Sequence, residues 1–288
     1  MVTSSFDYYA PTSVADALAL LDQHGDDAKL LAGGHSLIPL MKTRLAEPAV
    51  LIDLGKISTL SYINEQDGGL AIGAMTTYSE IAGSELVQSN APVLADASGQ
   101  VADNQIRNRG TIGGSLSHSD PAGDLPAVAL ALGAQLTTSS SGAHRTISAD
   151  DFFVDLLTTA LEPNEILSEI VIPALPAGTG TAYAKFANKA SHYAVVGVAA
   201  VVTVGSDGTC QSARIGITGA GPKATRATGT ESALVGLNLD DSAVRAAASH
   251  AGDGIDFNED VHASGEYRAH LISVYAARAI RAAVENAS

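Results

Sequence analysis

The spacing of apolar positions changes twice within the first fifty residues. Val14, Ala17, Leu18 and Leu21 share one face of a 3.6-residue repeat; Ser13 and Asp16 are placed as a capping box and Gly25 as a stop, so a helix is predicted here. Ala28 to Ala32 is a short apolar run, Leu37 to Arg44 again suits a helix, and Val50 to Asp53 suits a strand. Strand, glycine turn, helix and strand in succession form the frame of a small βαβ unit. From residue 60 the texture shifts to short strands, Tyr62 to Asn64 and Leu70 to Gly73, then a helix from about Thr77 and another opened by Pro92. A helix from Asp124 to Leu132, strands on either side of the Ser139 to Gly142 turn, and a strand over 165–173 complete this middle region.

Pro173, Pro176, Gly178 and Gly180 make the next stretch the best linker candidate. Beyond it, Tyr183 to Phe186, Val195 to Val204 and Arg214 to Thr218 read as three strands, with a Ser206-Asp207-Gly208 hairpin joining the last two. Three helical segments follow, the last over about Glu266 to Val284. The class is therefore α+β in three parts, 1–57, 58–177 and 178–288. A chain of 288 residues is long enough to bury several small cores.

One stretch fits none of these periods. Arg107 to Pro126 gathers glycines, serines and a threonine behind two arginines and reads as a working loop. Gly113 and Gly114 are expected to adopt positive φ, while Thr111 and Ser115 offer hydroxyl and N–H donors to phosphate oxygens. Ala32-Gly33-Gly34-His35-Ser36 repeats the pairing of two glycines with a serine, at the start of a predicted helix where an anion is favoured. The two turns read as halves of one pyrophosphate cradle.

Composition narrows what such a cradle serves. Lys and Arg number 16 against 31 Asp and Glu, a formal charge of −15, which argues against nucleic acid or an anionic membrane as the main partner. The single cysteine, Cys210, excludes a disulfide framework, a four-thiolate iron–sulfur cluster and a Cys-rich zinc site within this chain. No basic and apolar leader and no long apolar run is present, so a cytoplasmic location is expected. Gly219-Ala-Gly221-Pro-Lys-Ala224 matches a dinucleotide fingerprint, but Pro222 removes a turn N–H and too little chain follows for a doubly wound sheet. His118, Asp120 and Asp124 form a weak divalent-metal candidate; hydrogen bonding is the plainer reading, and no metal is assigned.

Taken together, Ala32-Gly-Gly-His-Ser36, Ile72-Gly-Ala-Met-Thr76, Arg107-Asn-Arg-Gly-Thr-Ile-Gly-Gly-Ser115, His118-x-Asp-Pro-Ala122, Asp124-Leu-Pro126 and Ile170-x-Ile-Pro173 resemble the FAD-binding medium subunits of the molybdenum hydroxylases. Within the xanthine dehydrogenase group the pattern is most similar to the medium subunit of aerobic carbon monoxide dehydrogenase. The resemblance spans the whole chain. It implies a two-part FAD-binding domain of the PCMH type, made of the βαβ unit and the larger α+β unit, followed by a C-terminal three-stranded antiparallel sheet with helices.

FAD is implied as a non-covalent cofactor despite His35, a residue type that carries flavin covalently in some oxidases. By the same resemblance, Leu30, Leu31, Ala32, Gly33, Gly34, His35, Ser36 and Leu37 wrap the first turn. Val101 packs beside the cofactor, Thr111, Ile112, Gly113, Gly114 and Ser115 form the second turn, Asp124 takes polar groups, and Leu167 and Lys185 border the site. Tyr193 is placed near the isoalloxazine ring. The sequence departs from the pattern at Ala102, where a glycine is expected after Val101.

The implied role is electron transfer with no acid, base or nucleophile in this chain. Flavin links one-electron clusters to a two-electron acceptor. The implied partners are an iron–sulfur small subunit and a molybdenum-binding large subunit in a dimer of heterotrimers, with quinone or another respiratory acceptor at the inner face of the membrane. A medium subunit of a purine, aromatic or nicotinate hydroxylase, and a flavin-free nucleotide-binding scaffold, are the alternatives.

Overall fold

The computed structural model describes residues 2–287. Its first sheet is wholly parallel, built from β1 (Asp7–Tyr9), β2 (Ala28–Leu31) and β3 (Val50–Asp53) in the order β1-β3-β2. Helix α1 (Val14–His24) starts where the Ser13 hydroxyl accepts from Asp16 N–H at 3.1 Å and stops at Gly25, whose φ is +51°. It buries Ala17, Leu18 and Leu21 against Val50 and Ile52 of the sheet. Helix α2 (Leu37–Lys42) follows the first glycine turn and leads into β3. Strand β1 is absent from the sequence-based expectation. It has three residues, all exposed, and its partners lie some forty positions away, so no local pattern marks it.

The second sheet is antiparallel, in the order β4-β5-β10-β6-β7, and is covered by helices that bury the largest core. Strands β4 (Ile63–Gln66) and β5 (Gly69–Gly73) meet at an Asp67-Gly68 turn with both residues at positive φ, as a tight right-twisted hairpin requires. Helices α3 (Tyr78–Gly83), α4 (Glu85–Asn90) and α5 (Pro92–Gln100) follow, α3 opened by a full capping box between Thr77 and Glu80.

The stretch expected to be an irregular loop is largely helical. It contains the end of α6 (Asn104–Arg107), all of α7 (Ile112–His118), and the start of α8 (Asp124–Leu132). Its apolar period is hidden because α7 is only seven residues long and buries just Ile112 and Leu116 as large side chains, with Gly113 between them. Beyond α8 come β6 (Gln135–Ser140), β7 (Ala143–Ser148), the short α9 (Ala149–Phe152), a hairpin of β8 (Phe153–Asp155) with β9 (Thr158–Thr159), and β10 (Ile166–Ile172).

The third sheet, β11 (Thr179–Ala187), β12 (Ala194–Val204) and β13 (Cys210–Thr218), contains the three long antiparallel strands expected, with a two-residue fourth strand, β14 (Thr225–Arg226), at its edge. The Gly219 motif leads into β14 and opens no helix, so no dinucleotide fold forms there. Strand β12 is buried from Ala194 to Val202 because both faces are covered. On one side lie α10 (Thr228–Leu234), α11 (Asp241–Ala248) and α12 (Gly265–Asn286), and on the other lies α8. All nine residues of α8 are buried. Gly216 lets that helix lie directly on β13, since a Cβ there would stand 2.0 Å from the Ala127 carbonyl oxygen.

Candidate functional site

A cleft of about 590 Å³ runs between the parallel sheet and the middle region and reaches the third sheet at its far end. The two glycine turns abut on its wall. A Cβ on Gly33 would lie 2.2 Å from the Arg109 carbonyl oxygen and 2.7 Å from the Gly110 Cα, so only glycine permits this approach. Gly34, at φ +77°, swings the chain into α2. The N–H groups of Gly34, His35 and Ser36 find no acceptor among the described residues.

The second turn is built differently from expectation. Gly113 and Gly114 are helical, with ordinary negative φ. The Thr111 hydroxyl caps the helix by accepting from Gly114 N–H at 3.1 Å, so that N–H already has a partner. Ile112 and Gly113 N–H groups donate to the Thr76 and Ala74 carbonyls at 3.0 and 2.8 Å. Glycine is required at 113 by closeness rather than by dihedral, since a Cβ would lie 2.5 Å from that of Ala74. At 114 it would crowd Thr111 Oγ at 2.8 Å and the Ala32 Cβ at 3.4 Å. The second turn is thus a rigid shelf, and the first supplies the free donors.

Of the residues expected at the site, Leu30, Ala32, Gly33, Gly34, His35, Ser36 and Leu37 line the cleft on one side. Val101, Thr111, Gly113, Gly114, Ser115, Asp124, Leu167 and Tyr193 line it on the others. Three do not. Leu31 is not on the cleft wall and packs instead beside Gly34, where an added Cβ would lie 3.4 Å from its Cδ1, and Ile112 is a core residue, 2% exposed. Lys185 sits behind Asp124, with 3% of its side chain exposed and its ammonium 2.8 Å from the Asp124 carboxylate and 3.2 Å from the Gln100 carbonyl oxygen. Tyr78 and Tyr183 escaped the sequence reading. Tyr78 lines the cleft, where burial pushes its phenol up to about 12 against the opposing pull of Ser115. Ala102, also on the wall, holds φ +42°, the left-handed conformation for which a glycine was expected.

Asp124, the first residue of α8, is 6% exposed. It accepts from the Tyr183 hydroxyl and from Lys185. Burial pushes its carboxyl above the usual carboxylate range, against the pull of those two donors. The segment before it is tied to the third sheet: Thr218 Oγ donates to the Pro121 and Gly123 carbonyls at 2.8 and 2.7 Å, and Gly219 N–H to Pro121 at 2.7 Å. Tyr193 lies just before β12, 45% exposed, after His192 at φ +60°. Burial, then the charges of Asp120 and Asp124, raise its phenol pKa. A narrow polar turn with unpaired N–H groups, a glycine shelf beneath it and an aromatic, carboxylate-bearing far end fit an elongated dinucleotide such as FAD.

Residues 4–175 match the family described as the FAD binding domain in molybdopterin dehydrogenase, and residues 181–283 match the CO dehydrogenase flavoprotein C-terminal domain. The chain is 42% identical over 283 residues to the carbon monoxide dehydrogenase medium chain of Hydrogenophaga pseudoflava, covering 98% of each. It is 39% identical over 287 residues to the 6-hydroxypseudooxynicotine dehydrogenase complex subunit alpha of Paenarthrobacter nicotinovorans, covering 100% of this chain and 97% of that one. Among solved structures, carbon monoxide dehydrogenase from Hydrogenophaga pseudoflava lacking the Mo-pyranopterin moiety superposes with a TM-score of 0.97 over 100% of both chains at 42% identity. Quinoline 2-oxidoreductase from Pseudomonas putida 86 does so with a TM-score of 0.93 at 34% identity, over 100% of this chain and 99% of that one.

Proposed function

Because this chain belongs to the FAD-binding subunits of the molybdopterin dehydrogenases, we propose that it is the electron-transferring FAD subunit of a molybdenum-containing carbon monoxide dehydrogenase. It would take electrons from the iron–sulfur clusters of a small subunit, after a large subunit has oxidised carbon monoxide at molybdenum, and pass them to a respiratory acceptor such as quinone. The observation that carries the cofactor assignment is the contact of the two glycine turns on the cleft wall. The substrate rests on the 41 to 42% identity to carbon monoxide dehydrogenase medium chains. The 39% identity to the 6-hydroxypseudooxynicotine dehydrogenase subunit favours the second reading, an N-heterocycle as substrate of the complex.

When bound, FAD supplies the means of accepting electrons singly and releasing them in pairs. The residues of this chain bind, orient and shield it. Gly34, His35 and Ser36 would offer their N–H groups to the pyrophosphate, and Gly33 and Gly114 keep the two turns close enough to hold it. Asp124 presents a carboxylate that Lys185 and Tyr183 hold from behind. Tyr193 covers part of the open end, and Leu30, Val101 and Leu167 exclude water along the apolar walls.

The units 1–57, 58–177 and 178–288 are proposed as its three parts. Among the described residues no helix is long and apolar enough to cross a membrane. We place the complex in the cytoplasm, meeting its acceptor at the inner face of the membrane, as a dimer of heterotrimers. The test is to purify the chain with its partners. A flavin spectrum bleached by carbon monoxide, and no bleaching when the FAD-loaded chain is tested alone, is expected. A flavin-free complex refutes the cofactor. Bleaching by an N-heterocycle and not by carbon monoxide selects the second reading.

A further inference from the structure

We infer that Tyr183 is a positioning residue for Asp124, and through it for the bound flavin. This rests on the placement of Asp124 in the flavin cleft. Strand β11 carries Tyr183 and Lys185 two residues apart, on one face of the sheet, and both reach the same carboxylate: the phenol donates to one oxygen and the ammonium to the other at 2.8 Å. The neighbouring strand is shaped for this. Gly197 pairs with Lys185, and a Cβ on it would stand 2.3 Å from the Tyr183 hydroxyl oxygen, so the phenol occupies the place of the missing side chain. Tyr183 is 7% exposed, and burial together with Asp124 raises its phenol pKa far above the ordinary value, which keeps it a hydrogen-bond donor.

The carboxylate thus faces the cleft on one side while two donors draw charge from it on the other. With the Lys185 ammonium still favouring the ionised form, removing the phenol O–H leaves the carboxylate charge less neutralised toward the cofactor and takes away one restraint on it. An electron is then harder to place on the flavin. This arrangement makes the third sheet, distant from the glycine turns, part of the cofactor's electrostatic setting.

The experiment compares the wild-type chain, Tyr183→Phe, Asp124→Asn and the double variant, each as the full chain reconstituted with FAD. Flavin midpoint potential, FAD dissociation constant and thermal midpoint are measured. Tyr183→Phe is expected to move the potential to more negative values and to weaken FAD binding about tenfold, and both effects are expected to vanish in the Asp124→Asn background. Gly197→Ala retains the phenol but denies it its place, and is expected to reproduce the Tyr183→Phe potential. Equal effects in both backgrounds would overturn the inference. So would a fall in thermal midpoint with unchanged potential and affinity, or a Tyr183→Phe chain that does not fold alongside a Gly197→Ala chain of normal potential. A wild-type chain that binds no FAD refutes the cofactor reading itself, which separates the two failures.

Discussion

Replacing Gly33 by alanine adds one carbon at the point where the two glycine turns touch. The new Cβ would stand 2.2 Å from the Arg109 carbonyl oxygen, 2.7 Å from the Gly110 Cα and 2.8 Å from the Arg109 carbonyl carbon. All three are backbone atoms, so no rotamer change relieves the overlap. The turns must part by about 1 Å before an ordinary carbon–oxygen contact is restored. Overpacking of this kind costs about 1–3 kcal/mol of stability. The same parting carries the free N–H groups of the first turn away from an anion seated against the second. Losing one hydrogen bond to a charged group corresponds to about a ten- to hundredfold weaker FAD complex. Gly83→Ala is the control, since a Cβ there meets nothing within 4 Å. Urea unfolding of the chain and FAD titration by flavin fluorescence read the two effects separately. Wild-type FAD affinity in a folded Gly33→Ala chain would refute the claim that contact between the turns creates the cradle.

Tyr193→Ala should cost only about 1–2 kcal/mol, below the 3–5 of a fully buried aromatic, because the ring is 45% exposed; the flavin potential and its oxidation rate by quinone should change instead, and a large stability loss with unchanged redox behaviour would contradict the placement. Ala102→Gly should raise stability by about 0.5–1 kcal/mol, the left-handed strain relieved less the added unfolded-state entropy, as measured by the urea midpoint. Glu165 is held below the usual carboxylate range, chiefly by its hydrogen bonds from Arg145. Its stabilising contribution is therefore full above the unfolded pKa near 4.5 and is lost as pH falls through the lowered folded value. Glu165→Gln should flatten that acid limb of the stability curve, and an unchanged limb would show the pair to be inert.

Sequence legibility followed the range of the interactions involved. The Ser13 cap, the Pro92 helix start and the long apolar run of β12 are local or strongly periodic, and each produced the element expected. Strand β1 and the edge strand β14 are two or three residues long and exist through pairing with distant chain, so propensity could not reveal them. The glycine turns were legible as chemistry and misleading as conformation. Gly113 looked like a residue chosen for positive φ, whereas its role is to let a helix approach Ala74. Lys185 was legible as a residue of the site, but whether it met the cleft or stood behind Asp124 depended on the side of β11 that packs on α8. That fact is tertiary. The expectation of glycine at position 102 did identify the backbone conformation, and the alanine there adopts it under strain.

The complete burial of α8 bears on how fast charge can pass through this subunit. Each electron that arrives changes the field around the cofactor, and a site that relaxes widely in response adds that relaxation to the barrier for the next transfer. Asp124 is the first residue of a helix whose remaining eight positions are fixed in close-packed surroundings, with β13 pressed against its backbone at Gly216. Close-packed interiors resist compression and displacement. The dipoles and charges at that end of the cleft would therefore reorient little on arrival of an electron. With FAD bound as proposed, this buried helix would keep reorganisation small at that end of the cleft.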